Sequence, residues 1–223
     1  IVMDNVVKYI KETPKVYFHI HSIPVYFKDG LTKKINMDSV CKRTANILPP
    51  FYFKNVSALS VGQYDTLDDR AVDSVFDKKI IYLTNVQDDE DDIIENIIHE
   101  VAHSLEEVYS ETIYGDGLLK KEFLKKRKQL YNELSTKFSI EDRYFRKTEY
   151  SKVLDTLFYK KIGYDTLSYF TEPLFVSPYS ATSLREYFSE GFENYYMGQQ
   201  QLTMDLCPEL YNKIKQLEEI IQK

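Results

Sequence analysis

Residues 97–105 read IIHEVAHSL and contain the pattern His-Glu-x-x-His at His99, Glu100 and His103. Residues four apart project from nearly the same side of an α-helix, so the two histidines can converge on one metal ion. Glu100 lies beside them and can reach a water molecule bound to that metal. Two neutral imidazoles and a carboxylate suit zinc and leave its fourth position for the water. The stretch therefore predicts a zinc-binding helix.

Apolar residues around the motif predict which side of this helix is buried. At about 100° per residue they form one stripe. Its members are Ile94, Ile97, Ile98, Val101, Leu105 and Val108. His99 and His103 fall on the opposite side, so we expect them outside the core. That side also carries Asp92, Glu95 and Glu106, and a merely solvated polar face is the alternative to a metal site.

An acidic run at residues 88–92 comes immediately before the helix. Carboxylates at a helix N-terminus offset the exposed amide dipoles there. The run lacks the spaced ligands and the glycine of a calcium-binding loop. We therefore expect it to cap the helix rather than to bind a second metal ion.

The composition indicates a globular protein and excludes several functional classes. The 223 residues are 43% hydrophobic and 29% charged, which excludes collagen-like and broadly disordered chains. A net charge of −6 gives no positive field for a nucleic-acid backbone. No apolar run approaches the roughly 20 residues that span a bilayer. Cys41 and Cys207 allow at most one disulfide, and the sequence leaves their pairing open.

The first half of the chain mixes strands with helices. Aromatic and β-branched residues predict extended segments at 16–20, 24–27, 51–53, 57–64 and 80–84. A helix is predicted over 37–48, ending before Pro49.

The second half is predicted to be almost entirely helical. Apolar spacing predicts helices at 118–138, 150–162, 183–197 and 208–221, with a loop at 163–182. The basic residues of 120–128 are expected to form a solvated helix face rather than a nucleic-acid patch. We therefore predict an α+β fold in one domain, with an α/β subdomain at 1–114 and a helical subdomain at 115–223.

A catalytic zinc ion also needs a third protein ligand. Glu106 and Glu107 lie one turn along the same helix, beyond a site shared with both histidines. Glu186 and Glu190 lie four apart on a second predicted helix, and the residues alone leave these two nearly even. Glu186 has an alternative role, because with Ser183 it matches a capping box.

The remaining histidines are His19 and His21, with both rings expected on one face of a strand. Two ligands alone do not make a structural zinc site, and the cysteines have no recognisable spacing with them. We interpret both as ordinary strand residues.

Together, the residues resemble the gluzincin metalloproteases of the anthrax lethal factor and Pro-Pro endopeptidase type. The shared pattern is the His-Glu-x-x-His helix, then Tyr179, and seven positions later Glu186 in Glu-Tyr-Phe-Ser-Glu. The resemblance implies a zincin-like fold in which His99, His103 and Glu186 bind Zn²⁺. It also implies that Glu100 acts as general base, that Tyr179 stabilises the oxyanion, and that Glu190 is a carboxylate supporting the ligands. The roles of Glu100, Tyr179 and Glu190 follow here from the resemblance.

The resemblance implies a zinc-dependent endopeptidase with proline-rich targets and a secreted location, with a cytoplasmic location as the alternative. Cleavage within extended protein segments is expected because such a peptide can add to a sheet edge as a further strand. We expect a monomer whose partner is a protein or peptide substrate. In a zincin, residues 80–84 would form the sheet edge beside the metal. Glu186 follows His103 by 83 positions, which exceeds the family interval, so residues 118–162 are expected to be an inserted helical pair. The alternative is an inactive zincin-like module that binds a peptide or protein in the same cleft.

Overall fold

A mixed five-stranded sheet organises the first half of the chain in the computed structural model, which describes residues 18–222, with the backbone alone at 69 and 70. The strands are β1 (Phe18–Ile20), β2 (Ile23–Phe27), β3 (Ala58–Gly62), β4 (Ser74–Asp77) and β5 (Ile80–Thr84). They lie in the order β1-β2-β3-β5-β4. β3 runs parallel to both of its neighbours, and the edge strands β1 and β4 are antiparallel to theirs.

The middle of the sheet is buried. Every residue of β3 is buried, and its register sets Leu59 between Val25 of β2 and Ile81 of β5. All three of these side chains are fully buried. Parallel strands covered on both faces form near-continuous apolar runs, which explains why these segments do not strictly alternate between apolar and polar residues.

Helices connect and follow these strands. They are α1 (Met37–Ile47), a 3-10 turn at Pro50–Phe53, α2 (Asp65–Arg70) and α3 (Glu90–Tyr114). Asn36 begins α1, because its Oδ1 accepts hydrogen bonds from the amides of Asp38 and Ser39. The helix predicted over 37–48 is thereby confirmed. The chain divides into two compact units, residues 1–105 and 106–223, and α3 continues through the boundary.

The acidic run caps α3, as predicted. Oδ1 of Asp89 accepts a hydrogen bond of 3.0 Å from the amide of Asp92, and Oδ2 of Asp92 accepts one of 2.9 Å from the amide of Asp88. These bonds satisfy amides that have no partner within the helix. The carboxylates therefore have a structural role at the start of α3.

The expectation that residues 80–84 form the sheet edge is wrong. β5 lies between β3 and β4, and the edge is β4, which the sequence analysis did not detect. Lys78 and Lys79 form the two-residue connection from β4 to β5, with φ angles of 48° and 66°. Tight hairpins of this kind usually carry Asn-Gly, which tolerates positive φ. Two lysines in these positions give no hairpin signal in the sequence.

Other predictions in this unit need correction. Residues 51–53 are not extended but belong to a 3-10 turn that begins at Pro50, whose fixed φ suits a helical start. His21 is not in a strand: its φ is 54°, it lies in the turn from β1 to β2, and its Nε2 lies 2.7 Å from the carbonyl oxygen of Leu48. Of the predicted strand 16–20, residues 16 and 17 lie outside the described residues.

The second unit consists of helices. They are α4 (Leu118–Ser135), α5 (Asp142–Phe145), α6 (Lys152–Thr156), a π-helix (Leu157–Ile162), α7 (Tyr164–Thr171), α8 (Leu184–Tyr196), α9 (Gln200–Leu206) and α10 (Pro208–Ile221). α4 contacts α5, α7, α8 and α10. The rings of Phe123, Phe175 and Tyr187 meet at centroid distances of 5.4 to 6.4 Å and form part of the core.

The basic segment of α4 is not a solvated face throughout. Lys126 and Arg127 are buried, and Arg127 lies between the rings of Phe123 and Phe145 at 5.2 and 5.4 Å. Its Nη1 donates to the carbonyl of Thr182 at 3.4 Å. Burial lowers the pKa of Arg127 to about 10. The prediction is wrong here because a run of lysines does not reveal which side chain faces inward.

The segment 163–182, predicted to be a loop, contains α7 and a 3-10 turn at Tyr179–Ala181. With these corrections, the described chain has the predicted α+β architecture. Cys41 and Cys207 are both buried free thiols. No helix among the described residues is long and apolar enough to cross a membrane.

Candidate functional site

α3 brings the two histidines of the motif together in the first unit. The ring centroids of His99 and His103 lie 4.9 Å apart, with an angle of 74° between the ring planes. Zn–N bonds of about 2.0–2.1 Å would bring two ring nitrogens on a tetrahedral ion to roughly 3.3 Å from each other. Neighbouring imidazoles on one helix turn fit this requirement. His103 is only 8% exposed, so it is more buried than its position opposite the apolar stripe predicts.

The apolar stripe itself is confirmed except at its end. Ile94, Ile97, Ile98, Val101 and Leu105 are buried. Val108, however, is 54% exposed. The next residue, Tyr109, departs from helical geometry with φ −117° and ψ 22°, so the stripe does not continue through this turn.

Glu100 is a buried carboxylate held by the edge strand. Its side chain is 3% exposed in the folded chain. Oε1 accepts a hydrogen bond of 2.7 Å from the Ser74 hydroxyl, and Oε2 accepts one of 2.6 Å from the Phe76 amide. Both oxygens of the predicted general base are therefore fixed by residues of β4.

No pattern in the sequence indicates Ser74 and Phe76 as partners of Glu100. They lie 26 and 24 residues before Glu100, on a four-residue strand. Alternation along so short a strand is a weak signal, and the hairpin that follows it has no glycine. Only the fold reveals these partners.

The second unit carries the carboxylates considered for the third ligand. α8 begins at Ser183, whose Oγ accepts a hydrogen bond of 3.2 Å from the amide of Glu186. The N-cap predicted from the sequence is therefore confirmed. The carboxylate of Glu186 is partly buried, and its Oε2 accepts a bond of 3.3 Å from the Ser189 hydroxyl.

Ser177 connects Glu190 to the turn that contains Tyr179. The Ser177 hydroxyl donates to Oε2 of Glu190, and Ser177 Oγ accepts a bond of 3.0 Å from the amide of Ser180. Tyr179 begins the 3-10 turn and is partly exposed. Ser177 thus ties Glu190 to Ser180, the residue that follows Tyr179 in the 3-10 turn.

Glu106 is engaged within the second unit. Its carboxylate is buried and accepts hydrogen bonds from the Tyr114 hydroxyl and, at 3.1 Å, from Nε of Arg185. Burial and the nearby Glu106 carboxylate raise the pKa of Tyr114. These contacts give Glu106 a structural role in the second unit.

Comparisons of the chain with protein-family models, curated proteins and solved structures give no match. The gluzincin resemblance therefore rests on the two motifs alone. His99, Glu100 and His103 belong to the first unit, and Tyr179, Glu186 and Glu190 belong to the second.

Proposed function

We propose that the protein is a zinc-dependent endopeptidase with a zincin-like fold. The observation that carries the proposal is the adjacent pair of imidazoles on α3, next to a buried carboxylate fixed at both oxygens. His99 and His103 each offer a ring nitrogen, and Glu186 offers a carboxylate oxygen. We assign Glu186 rather than Glu190 as the third ligand because of its seven-residue spacing from Tyr179 in the family pattern.

A zinc ion bound by these ligands would polarise the scissile carbonyl and lower the pKa of a water molecule toward about 7. Glu100 takes a proton from the water that attacks the carbonyl carbon. The C–N bond then breaks, and Glu100 returns that proton to the leaving nitrogen. The Tyr179 hydroxyl donates a hydrogen bond to the oxyanion that forms on the carbonyl oxygen.

The substrate is proposed to lie along β4. The amide of Thr84 donates to the carbonyl of Asp73 at 2.8 Å. Alternation along an antiparallel pair then turns the N–H and C=O groups of Ser74 and Phe76 away from β5. The Phe76 amide is bonded to Glu100, so an extended peptide would pair as a further strand with the backbone of Ser74 and the carbonyl of Phe76. We therefore expect cleavage within flexible protein segments, and the resemblance makes proline-rich segments the first to test.

The test combines metal analysis with a peptide library. The purified protein should contain one zinc per chain and cleave peptides internally. Glu100→Gln should keep the zinc and lose nearly all hydrolysis. Glu95→Gln, at an exposed position on the same helix, is the control and should keep its hydrolytic activity. Absence of zinc, or full hydrolysis by Glu100→Gln, would contradict the proposal. Peptide binding without cleavage by the wild type would support the inactive binding module instead.

A further inference from the structure

We propose that Ser74 is a positioning residue for the general base, an inference that rests on the proposed endopeptidase function. The Ser74 hydroxyl donates to Oε1 of Glu100 at 2.7 Å. A charged acceptor makes this bond stronger than one between neutral groups. Ser74 itself belongs to no motif and is not among the proposed ligands.

Two bonds at different oxygens fix the plane of the carboxylate. The Phe76 amide holds Oε2 of Glu100 at 2.6 Å, and the Ser74 hydroxyl holds Oε1. An ionised carboxylate has about four acceptor positions, so each oxygen keeps capacity to receive a proton. The two bonds therefore orient the Glu100 carboxylate and leave acceptor positions on both oxygens for the proton. The backbone amide is present whatever the side chain at position 76, so the Ser74 hydroxyl is the contribution that a substitution can remove.

A second acceptor, Asn96, lies near the Ser74 hydroxyl at the end of a row of polar side chains. Oγ of Ser74 lies 3.3 Å from Oδ1 of Asn96, whose Nδ2 donates to Oε1 of Gln87 at 3.2 Å. Nε2 of Gln87 donates to the carbonyl of Thr84 at the end of β5, at 3.0 Å. Gln87 is 2% exposed, whereas Ser74 and Asn96 are partly buried. The Ser74 hydroxyl has one proton and two neighbouring acceptors, and the shorter distance, 2.7 Å against 3.3 Å, favours Glu100 as the acceptor.

Loss of the hydroxyl leaves Glu100 with one bond, about which the carboxylate can turn. Misorientation of a catalytic group lowers turnover more than it lowers substrate binding. We expect Ser74→Ala to reduce kcat about ten- to a hundredfold and to leave KM within about twofold. Zinc content should stay at that of the wild type, because Ser74 is not a ligand.

The experiment measures kcat and KM on a peptide that the wild type cleaves, together with zinc content and the melting temperature of the metal-free protein. Ser74→Thr keeps a hydroxyl on a β-favouring residue and should restore most of kcat. Ser60→Ala is the matched control, because its Oγ is bonded to Tyr64 in the same sheet and it should leave kcat unchanged.

Wild-type kcat in Ser74→Ala, or no recovery in Ser74→Thr, would overturn the role of Ser74 alone. A parallel fall in kcat, zinc content and melting temperature would show a purely structural role and would also overturn it. If the wild type cleaves no peptide, the proposed function fails, and this inference fails with it.

Discussion

Nε of Arg185 donates a hydrogen bond of 3.1 Å to Oε2 of Glu106, which ties the first turn of α8 to a buried carboxylate on α3. The two partners differ in environment, since the side chain of Arg185 is 63% exposed and that of Glu106 is 6% exposed. Glu106 also accepts a hydrogen bond from the Tyr114 hydroxyl. The residue next to the proposed ligand Glu186 is thus anchored within the second unit.

Glu106→Ala should therefore be more destabilising than Arg185→Ala. Removing Glu106 leaves the partly buried Tyr114 hydroxyl without this acceptor, which costs about 1–3 kcal/mol. Arg185 is largely exposed, so its loss should cost less than about 1 kcal/mol. Urea denaturation followed by circular dichroism measures both. Equal destabilisation by the two variants would show that Tyr114 does not depend on Glu106.

Substitution of Glu186 and Glu190 distinguishes the residue that binds zinc from the residue that only orients the ligands. Glu186→Gln should strongly weaken zinc retention, whereas Glu190→Gln should act more mildly, because Glu190 is held by Ser177 and would act only through orientation. Zinc content after dialysis against a weak chelator distinguishes the two. An empty site in Glu190→Gln beside a full site in Glu186→Gln would reverse the assignment.

Tyr179→Phe should fold and bind zinc as the wild type does but turn over more slowly. Removal of one oxyanion donor costs about a hundredfold to a thousandfold in kcat. Steady-state kinetics on a cleaved peptide provides the measurement, with Tyr169→Phe as control because Tyr169 is 73% exposed. Undiminished turnover in Tyr179→Phe would remove this hydroxyl from the mechanism.

The stability of the protein should fall as the pH rises above about 9. Burial raises the pKa of the Cys41 thiol from 9.0 to about 11, with a further contribution from Asp38. Between these values the unfolded chain releases the proton and the folded chain keeps it, so the folded state binds more protons and is weakened by rising pH. The contribution of the protonated Cys41 thiol to the free energy of unfolding is full below pH 9 and is lost toward pH 11.

Denaturation curves at pH 7, 9 and 10.5 test this dependence. Cys41→Ala should show a shallower decline than the wild type over the alkaline range, because it cannot release this proton. Parallel curves for the two proteins would assign the decline to other groups.

The features predicted from sequence are those with a local cause. The sequence predicts helices α1, α8 and α10 within a residue of their ends because apolar spacing marks their length, and Pro49, Ser183 and Pro208 each mark one end. The two histidines were placed together for the same reason, since helical spacing alone brings residues four apart onto one face.

The features that were missed depend on contacts distant in sequence. β4 has four residues and gains its place only by pairing with β5. Strand order is likewise non-local, which is why β5 was taken for the edge. The Ser74–Glu100 bond and the burial of Arg127 follow from that packing. Periodicity cannot encode which of several polar side chains will meet a distant partner.

The hydrogen bond between the Phe76 amide and Glu100 also protects the edge strand β4 from pairing with another copy of the chain. An unpaired edge amide invites pairing with another copy of the same chain, and natural proteins place charges there to prevent it. Glu100→Ala, the usual choice for trapping a substrate, would remove that protection together with the proposed base. Concentrated samples of this variant should oligomerise through β4, whereas Glu100→Gln keeps an acceptor for the amide and should remain dispersed. Crystals or pull-downs made with the alanine variant would then report a dimer created by the substitution.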